Sequence, residues 1–123
     1  MSDQAEERRG ATRYAVIMEA QATDLLTRST FKMRCSDLSL SGCYLDTLNP
    51  IETGAPLWVH LEHGQRVFEC QAKVAYLVSH LGMGVEFAQP IPSDQLEILT
   101  AWLSEAAGPG HQQASLFGAS VSR

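Results

Sequence analysis

Residues 66–80 read RVFECQAKVAYLVSH, and this stretch decides the fold because it is the longest regular strand pattern in the chain. Apolar side chains alternate here with a largely polar face, and a period of two residues predicts a strand with one buried face. The apolar series is Phe68, Cys70, Ala72, Val74, Tyr76 and Val78, and the opposite face includes Glu69, Gln71 and Lys73.

Shorter strand patterns lie on both sides of this stretch. Residues 14–23, 31–36, 43–48, 57–62 and 83–87 each carry apolar side chains at strand spacing, with Phe31, Met33 and Cys35 on one face of the second pattern. Turns rich in Asn, Pro and Gly separate most of them. Six short strands joined by tight turns predict a mainly β fold, a small six-stranded antiparallel β-barrel, because closure removes the exposed edges of an open sheet.

The hydrophobic period changes after Pro90 and Pro92. Ser93 is predicted as the N-cap, and one amphipathic C-terminal α-helix is predicted over 93–106, closing the open side of the barrel. Its apolar positions at helical spacing are Leu96, Leu99, Trp102, Leu103 and Ala106. Gly108-Pro109-Gly110 ends the helix.

Composition excludes several classes of protein. A chain of 123 residues fits one domain, and a net charge of -5 argues against a general binder of nucleic acid or membrane surfaces. No apolar run approaches the roughly 20 residues that a membrane span needs. Three cysteines without C-x-x-C spacing, and a polar N-terminus in place of a secretory segment, predict a reduced, cytoplasmic setting.

The basic residues are unevenly distributed. Of nine Lys and Arg residues, Arg8, Arg9 and Arg13 fall within six positions of one another. They are either a solvated charge run balanced by Glu6 and Glu7 or half of a site for an anion. Residues 1–12 are predicted to be a flexible leader that carries the arginine motif, 13–106 the barrel and helix, and 107–123 a disordered tail.

A second motif follows 24 residues after Arg13. Residues 37–42 read DLSLSG, which fits D-x-S-x-x-G, and Arg9 and Arg13 form an R-x-x-x-R pair. Either motif alone is weak, but the first precedes the opening strand and the second lies at the turn between strands two and three. The alternative is a hairpin turn in which Asp37 and Ser39 cap their own backbone.

With these two motifs the chain resembles the PilZ domain family over about residues 7–106, and ERRGATR, DLSLSG, LGMGVEF and the terminal helix carry the resemblance. The resemblance implies a PilZ-like barrel that binds the second messenger cyclic di-GMP. The ligand-binding residues that it implies are Arg9, Arg13, Asp37, Ser39 and Gly42, with Arg8 as a further phosphate contact.

The chemistry of these residue types fits that ligand. The planar fork of arginine suits guanine O6 and N7 and also stacks on a base. Asp37 can accept from guanine N1 and N2, Ser39 can donate to the ligand, and Gly42 is expected to adopt a positive φ and allow close approach. The leader is predicted to order over the bound ligand, which would act as a switch.

Other chemistry is not predicted. His60 and His63 lie three apart on a strand pattern and so point to opposite faces, which argues against a metal site with Cys70. No nucleophile with a base, carboxylate pair or phosphate loop is placed for catalysis, so neither an enzyme nor a cofactor is expected. Output is expected to pass to an unidentified protein partner. Two alternatives remain: an adaptor in motility or polysaccharide machinery that binds no nucleotide, and a small scaffold or enzyme accessory.

Overall fold

The computed structural model describes residues 11–108, which form six strands followed by one helix. The elements are β1 (Tyr14–Asp24), β2 (Thr30–Leu38), β3 (Gly42–Asp46), β4 (Pro56–His63), β5 (Arg66–Val78), β6 (Gly82–Phe87) and α1 (Ser93–Ala107). The proposed leader and tail lie almost wholly outside these residues, so the division at 12 and 107 stays a prediction.

The strands close into a barrel in the order β1-β2-β3-β6-β5-β4, and every neighbouring pair is antiparallel. β1 pairs with β2 on one side and with β4 on the other, which closes the sheet. Closure leaves no unpaired strand edge along the barrel wall. The prediction of a six-stranded antiparallel barrel with one C-terminal helix is confirmed.

Alternating side chains fill the barrel, and α1 covers this core on the side of β1 and β5. The helix buries Leu99, Trp102, Leu103 and Ala106. The ring of Trp102 lies 6.5 Å from that of Phe68, which lies 5.2 Å from that of Phe87. The helix is therefore held by aromatic packing onto the barrel interior.

The start of α1 differs from the prediction. Pro92, with extended backbone angles, is the N-cap, and no side chain caps the helix there. Ser93 is the first helical residue because the backbone carbonyl of Pro92 accepts the bond from Leu96 N–H. The helix ends one residue later than predicted, at Ala107.

Three residues that the sequence assigned to buried strand faces are exposed: Phe31, Tyr76 and Val78. β5 has a register shift between Val74 and Tyr76, and beyond it Tyr76 is 46% exposed and Val78 is 38% exposed. Ala75 and Leu77 on the other face are exposed as well, so the end of β5 beyond the bulge lies outside the core on both faces. Phe31 is 44% exposed because it lies one residue from the start of β2, beside the β1–β2 turn at the barrel rim.

The three cysteines are free thiols buried in the barrel. Burial raises the pKa of the Cys70 thiol to about 12, which keeps it protonated near neutral pH. Over residues 11–108, the helix is too short and too polar to cross a bilayer.

Candidate functional site

An open groove of about 920 Å³ lies on the outer face of β3, β5 and β6. Its size is within the usual range for small-molecule sites. Residues just before β1 and just before β4 also line it. Its lining includes Arg13, Ser41, Gly42, Lys73, Tyr76 and Glu86.

The structure brings together the second arginine and the aspartate of the two motifs. Arg13 Nη2 lies 3.7 Å from Asp37 Oδ1, which is an ion-pair distance and too long for a direct hydrogen bond. Asp37 Oδ1 is itself buried and has no hydrogen-bond partner among the described residues, although the side chain is 32% exposed overall. A buried carboxylate oxygen without a partner is costly and therefore unusual.

The pKa of Asp37 reflects this environment. Burial raises the pKa of the carboxyl above its ordinary value, and the nearby Asp46 adds to the rise. The guanidinium of Arg13 and the backbone amide of Tyr44 act in the opposite direction. Because desolvation is the largest cause, the ionised carboxylate is held in a site that does not fully compensate its charge.

A bulge in β2 places Asp37 on the outer face. Cys35 and Leu38 are both fully buried although they lie three residues apart, a spacing that a regular strand cannot give. The register shift between Cys35 and Asp37 supplies the extra residue, and Asp37 then pairs with Tyr44 on β3. On β1, Ala15 pairs with Asp37. Arg13 lies two residues earlier, just before β1, and is therefore close to the carboxylate.

Ser39 holds the turn between β2 and β3. It is fully buried, and its Oγ accepts hydrogen bonds from the backbone N–H of Ser41 at 3.1 Å and of Gly42 at 3.2 Å. Ser39 N–H also donates to the carbonyl of Gly42 at 2.9 Å. The self-capping turn that the sequence left open is therefore present for Ser39 and not for Asp37 Oδ1, and Ser39 positions Ser41 at the edge of the groove.

The expectation of a positive φ at Gly42 is wrong, since the positive-φ glycines of the described residues are Gly54, Gly64 and Gly108. The reason for glycine is steric. A Cβ at position 42 would lie 2.0 Å from the carbonyl oxygen of Val85, because the β3 and β6 backbones approach closely here. The close approach seen here is between two strands, and the expected approach of the Gly42 backbone to the ligand stays a prediction.

Sequence reasoning missed Tyr76, Lys73 and Glu86 as groove residues. The ring of Tyr76 covers Gly84, where a Cβ would lie 2.2 Å from Tyr76 Cε2. Lys73 and Glu86 are cross-strand partners on β5 and β6. The alternate glycines in LGMGVEF gave a usable indication, because glycines on one face of a strand leave room for neighbouring rings to lie across it.

Arg8 and Arg9 lie outside the described residues, and their roles remain predictions. Within residues 11–108, no group of three His, Cys, Asp or Glu side chains is arranged to hold a metal ion. His60 instead lies between two carboxylates, with Nδ1 at 2.7 Å from Glu69 Oε2 and Nε2 at 2.8 Å from Glu62 Oε2.

Several solved structures share the fold. The PilZ domain with c-di-GMP of YcgR from Escherichia coli is 22% identical, with a TM-score of 0.63, 76% of this chain covered and 86% of that chain. The inhibitor of motility MotI/DgrA from Bacillus subtilis is 16% identical, with a TM-score of 0.63 and 77% of this chain covered, but only 48% of that chain. The chain thus spans about half of the Bacillus protein.

A third structure, the PilZ domain of CeSA from a cellulose-synthesizing bacterium, is 10% identical, with a TM-score of 0.61, 76% of this chain covered and 99% of that chain. None of the curated proteins compared with the chain matches it. The sequence itself matches the PilZ domain over residues 6–105, which is most of its length. The chain therefore belongs to the PilZ domain family.

Proposed function

We propose that this protein is a receptor for cyclic di-GMP that binds the dinucleotide in the groove beside Arg13 and Asp37. One structural observation carries the proposal: a buried carboxylate oxygen of Asp37, without a hydrogen bond among the described residues, beside an arginine that lines the groove. The PilZ family and the c-di-GMP complex of the Escherichia coli YcgR domain support the choice of ligand.

Each residue has a distinct task in this proposal. Arg13, together with Arg9, pairs with guanine O6 and N7 or with a phosphate, and Arg8 adds a phosphate contact. Asp37 accepts from guanine N1 and N2, donors that adenine does not present in that arrangement. One good bidentate arginine contact contributes about 1 to 3 kcal/mol by analogy with base recognition in DNA.

The rest of the groove supports the ligand. Ser39 holds the turn, and its hydroxyl is the proposed donor to the ligand if the turn opens. Gly42 keeps β3 close to β6, so the groove floor stays free of a side chain. Tyr76, whose ring is partly exposed at the groove edge, offers a face on which a base can stack.

The proposed output is a change of order and not a reaction. Residues 1–12 close over the dianion, and the altered surface is read by a partner protein in motility or biofilm regulation. Cyclic di-GMP acts as the ligand without any further cofactor, and the reduced cysteines suit a cytoplasmic location.

Isothermal titration with cyclic di-GMP tests the proposal, with cyclic di-AMP and GTP as competing nucleotides and Arg9→Ala as the negative control. We expect saturable, selective binding at about micromolar affinity, equivalent to approximately 8 kcal/mol. The absence of heat with every nucleotide, together with an unchanged thermal transition, would reject the receptor function and favour an adaptor that binds no nucleotide.

The closure of the leader needs its own measurement. Hydrogen exchange at residues 7–13 should slow when cyclic di-GMP is added, because backbone amides that contact a ligand become protected. Binding without any change in exchange at these positions would contradict the ordering step while leaving the receptor function intact.

A further inference from the structure

A second groove, of about 400 Å³, lies on the outer barrel surface between β4, β5 and the start of α1. Trp58 forms one wall and is 38% exposed, on the outer side of β4 between the buried Leu57 and Val59. Asp94 and Gln95 of α1 also line the groove. The core does not explain a large aromatic ring on the solvent side of a strand, since its neighbours fill the interior.

Two carboxylates line this groove, and a third lies near one of them. Glu69 and Asp94 line it, and Glu62 joins them through His60, which contacts Glu62 and Glu69 with one ring nitrogen each. A protonated His60 offsets only one of these three negative charges. Of the described residues that line the groove, none is Lys or Arg. The groove therefore combines an aromatic face with uncompensated negative charge.

A hydrogen bond between β5 and α1 fixes the start of the helix beside this groove, and a second one orients Asp94 within the helix. The backbone N–H of Glu69 donates to Gln95 Oε1 at 2.7 Å, and Gln95 N–H donates to Asp94 Oδ1 at 2.9 Å. A site formed before binding avoids much of the entropy cost of ordering its walls.

We propose that this groove binds a cationic side chain, an arginine or a lysine, presented by a partner protein. The ring of Trp58 attracts a cation by its π-face, and Glu69 and Asp94 accept charge-assisted hydrogen bonds. Arginine fits best, because its planar guanidinium can stack on the ring and pair with a carboxylate at the same time. The net charge of -5 further favours a basic partner.

The position of this groove connects it with the candidate ligand groove. A third groove, of about 470 Å³, shares Gln71 and Ala88 with the Trp58 groove, and it shares Lys73 and Glu86 with the candidate ligand groove. A partner segment anchored at Trp58 can therefore extend along β5 towards the ligand. The binding of a cationic side chain at Trp58 does not depend on cyclic di-GMP being that ligand.

Nuclear magnetic resonance of the indole N–H groups tests the inference on the full chain. The probe is N-acetyl-arginine amide, and its control is N-acetyl-citrulline amide, which has the same shape without the charge. Trp102, which is buried against Phe68, serves as the internal reference for the only other indole. We expect a saturable shift of the Trp58 resonance with arginine alone, with a dissociation constant on the order of 1 mM.

Two variants locate the site. Asp94→Asn should lower the affinity for the arginine probe about two- to fivefold. Glu105→Gln removes the same charge farther along α1 and should leave the affinity unchanged. Trp58→Leu, followed through the side-chain amide of Gln95, should weaken it about two- to fivefold. An unshifted Trp102 resonance verifies that each variant is folded.

Three results would overturn the inference. They are the absence of a saturable Trp58 shift, an equal shift with the citrulline compound, and equal weakening by Asp94→Asn and Glu105→Gln. A Trp58 resonance that moves with protein concentration alone would assign the groove to a second copy of the chain instead of a basic partner.

Discussion

Two polar clusters on the outer barrel surface differ in how completely their hydrogen bonds are satisfied. At His60, both ring nitrogens contact carboxylates at 2.7 and 2.8 Å. At Asp37, one buried oxygen has only the guanidinium of Arg13 at 3.7 Å and no hydrogen bond among the described residues. A satisfied cluster stabilises the fold, whereas an unsatisfied buried oxygen is compensated when a ligand donates to it.

The two clusters also differ in which parts of the fold they join. His60 joins β4 to β5 through Glu69, so its contacts form wherever the barrel forms. Asp37 is displaced from the regular strand by the bulge in β2. It does not line the groove itself, but its partner Arg13 does. Substitution should therefore separate stability from binding at these two places.

The largest effect is expected at the backbone contact beneath the candidate ligand groove. Gly42→Ala should lower the free energy of unfolding by about 3 kcal/mol, because its Cβ would overlap the carbonyl oxygen of Val85 at 2.0 Å. Urea unfolding measures this. Gly64→Ala is the matched control: its φ is +67° with nothing within 4 Å of the added atom, so it should cost only about 1 kcal/mol. Equal losses would show that β3 and β6 can separate freely.

Arg13→Ala should weaken the binding of cyclic di-GMP by about 1 to 3 kcal/mol. It should leave the thermal transition nearly unchanged, because Arg13 is exposed and lies 3.7 Å from Asp37 without a direct hydrogen bond. Titration calorimetry and thermal unfolding measure the two quantities. Arg34→Ala is the control. Arg34 lies on β2 like Asp37, but it pairs with Asp46 at 3.0 Å instead. A loss of stability at Arg13 larger than the loss of affinity would make the motif structural.

Tyr76→Ala should weaken the binding of cyclic di-GMP by about 1 to 2 kcal/mol if a base stacks on the exposed ring. Tyr76→Phe should retain the affinity because the π-face remains. Both are measured by the same titration. Equal losses in the two variants would assign the effect to the phenolic hydroxyl, and no loss in either would remove Tyr76 from the ligand site.

The smallest effect concerns pH at the satisfied cluster. The hydrogen bond to Glu62 is the main cause that raises the pKa of His60 above its ordinary value of 6.5, so protonation is favoured in the folded state. This contribution to stability is complete below pH 6.5 and is lost as the pH rises through the folded pKa. The unfolding free energy should fall across that interval, and His60→Gln should flatten the slope. An unchanged slope in the variant would mean that His60 does not titrate as a charged pair.

Much of the candidate site followed from short motifs. The resemblance to the PilZ family implied that Arg13 and residues 37–42 share a site, and the structure brings Arg13 to 3.7 Å from Asp37 because the first motif precedes β1 and the second spans the end of β2. Local spacing could not show that Ser39 is buried inside its turn or that Gly42 is needed for strand contact. Both properties depend on β3 and β6, whose contact joins residues about forty positions apart.

By itself the sequence determined six strands, most of their buried faces and one amphipathic helix, because periods of 2 and 3.6 residues follow from backbone geometry. The tertiary structure decided the bulges in β2 and β5, and with them the outward positions of Asp37 and Tyr76. It also brought Trp58 and Asp94 into one groove. A bulge arises when neighbouring strands must stay in register around a closed barrel, and that constraint acts between strands that are distant in sequence.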